Sequence, residues 1–263
     1  MTIESLTESQ AKYFRELLRS ALARHTSGEF AIEGPHLLEV AIEKASDQIS
    51  YAAFTAEAAS RHTSLFKECL ALGLPMYSIS AKLAARIADT EEPQGIFAVI
   101  WIPEQRPNVQ GDIVLALDSV QDPGNIGTII RSAAWFGVKT LLLGDGSADP
   151  YSPKVIRSTQ GAIFDVELET KVELVGKVGL LKKQGYRVLA TTLSADAVSI
   201  YEVSLPKKAL LLFGSEAHGL NQELLALADK KIIIPKYGSG ESLNVAMSAA
   251  IVLAEFRRRS HKV

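Results

Sequence analysis

The second half of the chain carries five short apolar runs, IVLALD, TLLLG, RVLATT, ALLLFG and KIIIP, separated by helical segments. A strand apolar at consecutive positions has no solvent face, so the runs predict a parallel sheet covered on both sides. The helical segments, around residues 126–136, 171–184, 220–228 and 243–256, supply the covering layers. Several runs end directly in Gly-rich or polar loops. In open α/β sheets ligands collect at that carboxyl edge, so the active site is expected in this half.

The first half reads as a smaller α/β unit. Ser5-x-x-Glu8 has the pattern of a capping box, and Ala11, Phe14, Leu17, Leu18, Ala21 and Leu22 follow helical spacing as one buried stripe. Lys12, Arg15 and Arg19 fall within about 60° of one another on the other side. That is the pattern of a solvated helix face or of a phosphate-contacting one, and spacing leaves both open. PHLLEVAIEKA and AASRHTSLFKECLALG read as helices, and YAAFTA, MYSIS and GIFAVIWI as strands. The polar, proline-containing stretch 103–112 is the natural linker, dividing a domain of residues 1–102 from one of residues 113–263.

Composition removes several classes. With 47% hydrophobic and 22% charged residues the chain is expected to bury a core, which excludes disorder as its main character. The longest apolar stretch, LNVAMSAAIVLAEF, falls short of the roughly 20 residues a bilayer requires, and no signal-peptide pattern opens the chain. A membrane partner is not expected. Cys69 is the only cysteine, which rules out a disulfide within one chain and fits a reducing cytoplasm. The five histidines lack metal-ligand spacing, so no metal is expected. The usual nucleotide loops and the GxSxG elbow are missing. A net charge of −2 means that any nucleic-acid surface is a local patch.

Three loops at strand ends remain. DSVQDPGNIGTIIRSAAWFG, residues 118–137, turns into a helix with Asn125 at the expected N-cap and Arg131 nearly two turns in. LLLFGSEAHGL, residues 210–220, has Gly214 at the strand exit and Glu216 just beyond. IIIPKYGSGESLNVAMSAAIVLAEF, residues 232–256, passes through a Gly-Ser-Gly turn into a helix apolar on nearly all faces, which must be buried in a core or an interface. Taken singly, Asn125 and Glu216 are also what ordinary helix starts use. The RRRSHK tail suits a helix C-terminus or an RNA contact.

In order, the three loops closely resemble the motifs of the SpoU (TrmH-type) RNA ribose methyltransferases of the SPOUT class. Asn125, Gly127 and Arg131 match N-x-G-x-x-x-R; Gly214, Glu216 and Gly219 match G-x-E-x-x-G; Ile234, Pro235, Ser242, Leu243, Asn244 and Val245 match I-P followed by S-L-N-V. The resemblance covers residues 10 to about 258, and EGPHLLEVAIE and PQGIFAVI look like the family's substrate-binding domain.

The resemblance implies an α/β SPOUT catalytic domain whose C-terminal part forms a deep trefoil knot, preceded by an RNA-binding domain like ribosomal protein L30e. It implies a homodimer that binds S-adenosylmethionine through Leu193, Gly214, Ile234 and Leu243. It implies catalysis by Arg131, Asn125, Glu216, Ser242 and Asn244, with Glu216 ordering loops and Arg131. The expected reaction is methyl transfer to a ribose 2′-hydroxyl of RNA, ribosomal rather than transfer, in the cytoplasm. Lys12, Arg15 and Arg19 become candidate RNA contacts. The rival readings are a transfer-RNA ribose methyltransferase, a SPOUT enzyme acting on a base, and an RNA-binding protein without chemistry.

Overall fold

The computed structural model describes residues 3–105 and 109–260; residues 106–108 of the expected linker, and His261 and Lys262 of the basic tail, lie outside the described residues. The chain forms two compact units. One comprises residues 1–104 and 150–164, the other 105–149 and 165–263. Residues 150–164 thus leave the second half of the sequence and pack within the first unit, an excursion that a division by chain order misses.

The first unit contains β1 (Glu4–Ser5), α1 (Glu8–Arg19), α2 (Ala21–Ser27), β2 (Glu29–Glu33), α3 (Pro35–Ala45), β3 (Ile49–Phe54), α4 (Ala56–Arg61), α5 (Thr63–Ala71), β4 (Met76–Ser78), α6 (Ala81–Ile87) and β5 (Ile96–Trp101). Its five strands lie in the order β1-β4-β3-β5-β2, parallel from β1 to β3 and antiparallel across β5. Phe14, Leu17 and Leu18 of α1 pack on Ala31, Tyr51, Phe97 and Val99, and the Phe14 and Phe97 rings meet edge to face at 5.3 Å.

Two expectations for α1 are corrected. The capping box is formed by Thr7 and Gln10, not Ser5 and Glu8: the Gln10 amide donates to Thr7 Oγ1 (3.2 Å) and the Thr7 amide to Gln10 Oε1 (2.9 Å). The stripe also stops at Leu18. Ser20 is extended, ending α1 and capping α2 by accepting from the Ala23 amide, so the helical phase breaks and Ala21 and Leu22 face solvent. The helix read over AASRHTSLFKECLALG breaks likewise at His62.

The second unit contains β6 (Ile113–Asp118), α7 (Pro123–Trp135), β7 (Thr140–Gly144), β8 (Glu167–Val172), α9 (Leu174–Lys183), β9 (Arg187–Thr191), β10 (Val198–Ser199), β11 (Ala209–Gly214), α10 (Gln222–Leu227), β12 (Lys230–Ile233) and α11 (Val245–Ser260); α8 (Pro153–Thr159) falls in the excursion. All seven strands are parallel, in the order β10-β12-β9-β11-β6-β7-β8. The sheet interior is nearly inaccessible: Val114, Leu115, Ala116, Leu141, Leu142, Val188, Leu210 and Leu211 are all fully buried. β8 and β10 are weakly apolar edge strands, which the search for apolar runs does not find. Among the described residues no helix is long and apolar enough to cross a membrane.

The three arginines of the tail do internal work. Arg257 pairs with Asp112 at 2.8 Å and donates to the Phe136 carbonyl at the end of α7; Arg258 pairs with Glu255, and Arg259 donates to the Val203 carbonyl. α11 itself is not buried on every side. Met247 is 58% exposed and Ala254, seven residues on, is exposed with it, leaving an uncovered stripe.

Candidate active site

The carboxyl ends of β6, β9, β11 and β12 bring the three sequence-predicted loops together. Asp122, not Asn125, caps α7: its Oδ1 accepts from the Asn125 amide at 2.8 Å, which places Asn125 inside the first turn with its side chain free for other partners. Asn125 Nδ2 donates to Glu216 Oε1 at 3.1 Å. Asn244 Nδ2 donates to the same oxygen at 2.8 Å and to Asn125 Oδ1 at 2.9 Å. The Val245 amide adds a further bond to Glu216 Oε1 at 3.3 Å. Asn244 has a second task, since its Oδ1 accepts from the Ala246 and Met247 amides and caps α11. One carboxylate oxygen therefore ties the starts of α7 and α11 to the loop after β11.

That loop is built by a close crossing. A Cβ on Gly214 would lie 2.1 Å from the Gly219 carbonyl carbon and 2.3 Å from the Leu220 nitrogen, so only glycine lets the chain fold back over its own strand. The turn closes through the Gly219 amide on the Ser215 carbonyl and the His218 amide on Ser215 Oγ. Asp118, at the end of β6, holds the far side: its Oδ2 accepts from the Asn221 amide at 2.7 Å. The sequence reading missed Asp118, although its position as the one charged residue closing an apolar run is a usable signal.

Beside this network lies a cavity of about 570 Å³, within the 300–1,000 Å³ usual for small-molecule sites. Leu193, Gly214, Ile234 and Leu243, the four residues expected at the cofactor, all line it, as do Glu216 and Ser242. Leu193 and Leu243 remain 68% and 46% exposed, apolar surface at the mouth that a bound molecule would cover. Ser242 makes no hydrogen bond among the described residues. Apolar walls with backbone groups from three loops suit S-adenosylmethionine, a flat adenine with a polar tail.

Arg131 stands apart. It is exposed on α7, does not line the cavity, and its side chain makes no hydrogen bond or ion pair among the described residues. The expected pairing with Glu216 is therefore not made; six residues from Asn125 is about 240° around the helix, which turns the two side chains to different faces. Arg131 shares its face with Trp135, which is 84% exposed. Among the described residues no group of three or more His, Cys, Asp or Glu side chains is placed to hold a metal ion.

In the first unit, Lys12 lies 3.9 Å from Glu16, Arg19 is exposed and Arg15 is half-buried with its Nε unpaired. The three candidate RNA contacts therefore sit on α1, but one guanidinium is partly enclosed.

A model of the SpoU rRNA methylase family matches residues 112–254. The chain belongs to this family. A model of the MRM3-like substrate binding domain matches residues 8–98. Among curated relatives of this SpoU protein, the Bacillus subtilis 23S rRNA (guanosine(2553)-2′-O)-methyltransferase RlmP is 33% identical over 255 residues, covering 97% of this chain and 98% of that one. Among solved structures, a TrmH-family protein from Porphyromonas gingivalis is 34% identical with a TM-score of 0.85, covering 97% of this chain and 99% of that one. The SpoU methyltransferase AviRb of Streptomyces viridochromogenes, solved with its cofactor AdoMet, is 26% identical with a TM-score of 0.84 and covers 97% of this chain and 98% of that one.

Proposed function

We propose that the protein transfers a methyl group from S-adenosylmethionine to a ribose 2′-hydroxyl of ribosomal RNA. The observation that carries this reading is the junction at Glu216: the side chains of all three SpoU motifs meet there, beside a cavity whose wall holds the four expected cofactor residues. S-adenosylmethionine supplies a methyl already activated on a sulfonium. The chain's task is to hold the hydroxyl in line and to accommodate the charge that develops on its oxygen.

Glu216 orders loops. Its Oε1 is committed to three donors, which suits a fixed acceptor better than a base that must release and rebind a proton. Asn125 and Asn244 are held by the same bonds, and Ser242, with its hydroxyl uncommitted, is the group available to hydrogen-bond ribose. Arg131 grips the neighbouring phosphate and stabilises the alkoxide charge as it develops.

The proposal extends to assembly. The uncovered faces of α7 (Arg131, Trp135) and α11 (Met247, Ala254) form the interface of a homodimer, which would set Arg131, absent from the cavity wall of its own chain, beside the partner's site. β11 enters the sheet between β6 and β9, both already laid down in sequence, and its exit crosses itself at Gly214; this supports the trefoil knot. Residues 1–102 act as the L30e-like RNA-binding domain, with Lys12, Arg15 and Arg19 as contacts, and the enzyme works in the cytoplasm.

Methyl transfer from labelled S-adenosylmethionine into ribosomal and transfer RNA from cells lacking the enzyme tests the activity. Label in ribosomal RNA, resistant to alkaline cleavage at one linkage and lost in Arg131→Ala, is the expected result. Label on a base nitrogen, or in transfer RNA alone, overturns it.

A further inference from the structure

The sheet has a second edge, and it is strongly charged. At the amino ends of β9 and β11, Lys182, Arg187, Lys207 and Lys208 line a depression of about 680 Å³ that contains a single acid, Asp229. A neighbouring depression of about 450 Å³ shares Arg187 and Asp229 and adds Lys230 and Glu202. Five cations against two carboxylates leave a surplus of three positive charges in one groove, on a chain whose net charge is −2.

The surplus is not absorbed internally. Asp229 is divided between Lys182 at 3.1 Å and Arg187 at 3.6 Å, and its Oδ2 also accepts from the Val188 amide at 2.8 Å. Lys208 lies 5.1 Å from the centre of the buried Tyr186 ring and otherwise reaches only the Gln184 carbonyl at 3.5 Å. Lys207 has no hydrogen bond or ion pair among the described residues. The nearby Asp112 is taken by Arg257. Like charges gathered in a concave surface repel one another, and the arrangement is stabilised when a polyanion enters.

We propose that this groove binds the phosphodiester backbone of RNA, as a surface separate from the cofactor cavity; the proposal rests on RNA being the substrate. β11 runs from Ala209 beside the groove to Gly214 at the cavity, which puts the two sites roughly 17 Å apart along the strand at about 3.3 Å per residue. The groove therefore meets backbone away from the methylated nucleotide. Its contacts are to phosphates, so they raise affinity for structured RNA without reading sequence and without entering the chemical step.

The test is binding of a labelled RNA hairpin of about 20 base pairs to the full chain across a salt series, since each lost phosphate contact removes about 0.7–0.9 from the slope of log K against log salt. Lys207→Glu with Lys208→Glu should weaken binding roughly 10- to 60-fold at about 0.1 M salt and flatten the slope by about 1.5. Lys207→Gln with Lys208→Gln should do the same to a smaller degree, while S-adenosylmethionine binding, the fold control, stays unchanged. A matched charge swap at Lys139 and Lys171, outside the groove, should have little effect. Unchanged affinity and slope in the groove variants, or an equal loss in the matched swap, overturns the proposal. Binding is read without turnover. A wild-type protein that methylates no RNA would therefore defeat the proposed activity while leaving this result standing.

Discussion

Asn244 performs two separable jobs, and two substitutions take them apart. Asn244→Ala removes the α11 cap, worth about 1 kcal/mol, and the two bonds from Nδ2, worth about 1 kcal/mol together at an exposed site. The total of about 2 kcal/mol corresponds to a Tm lower by roughly 4–8 °C for a unit of this size. Asn244→Asp keeps the cap, because aspartate serves as well there and suits the helix dipole. It replaces the Nδ2 donor with an oxygen 2.8 Å from Glu216 Oε1, and two carboxylates at that distance repel by about 1.5 kcal/mol even at the dielectric of water. The new pair therefore shares a proton, and its folded-state pKa rises above the unfolded value. The sign follows: the shared proton restores the junction below the unfolded pKa, and that stability is lost as pH rises through the folded pKa. Thermal unfolding of wild type and both variants at about pH 3 and about pH 8 should show a steady deficit for Asn244→Ala and one confined to high pH for Asn244→Asp. An Asn244→Asp protein as stable as wild type at the higher pH would refute the junction at Glu216.

Further measurements probe other parts of the fold. Gly214→Ala forces a methyl group into the Gly219–Leu220 backbone, and a loss of about 3 kcal/mol or more in denaturant unfolding, with loss of S-adenosylmethionine binding, is expected. Burial pushes the Cys69 thiol up to about 11, so a thiol reagent at neutral pH should label it only after unfolding; rapid labelling of the native protein would contradict its position. Burial works to raise the Asp112 carboxyl, but its hydrogen bond and charge contact with Arg257 hold it below the usual carboxylate range. The stability it contributes is thus present above the unfolded pKa and lost as pH falls through the lower folded one. Asp112→Asn should cost about 1 kcal/mol at neutral pH and nothing in strong acid, read by pH-dependent unfolding.

Much of the catalytic unit was legible because a covered parallel strand needs consecutive apolar residues, a pattern that IVLALD, TLLLG and ALLLFG display without ambiguity. β8 and β10 escaped because edge strands bury less and need no such run. The three motif loops identified Asn125, Glu216 and Asn244, but not that they converge on one oxygen, since their bonds join positions 28 to 119 residues apart. The cap falls three positions before Asn125 because Asp122 is an equally good cap and precedes a proline, which favours the first helical position. Residues 150–164 pack with a unit that ended some fifty residues earlier, and nothing in local composition marks such a segment.

The insertion of β11 has a consequence for the growing chain. β6, β7 and β8 can pair in the order they are made, but β9 must wait for β11 and β10 for β12, and the cavity lacks a wall until β12 and the loop to α11 follow. A nascent chain that has not reached residue 243 holds the apolar strands but cannot retain the cofactor, and the slow, non-local pairings come last. Ligand binding then acts as a quality mark on the finished fold: S-adenosylmethionine added during refolding should raise the yield of native protein without speeding the earliest collapse, because only the completed sheet has anywhere for it to bind.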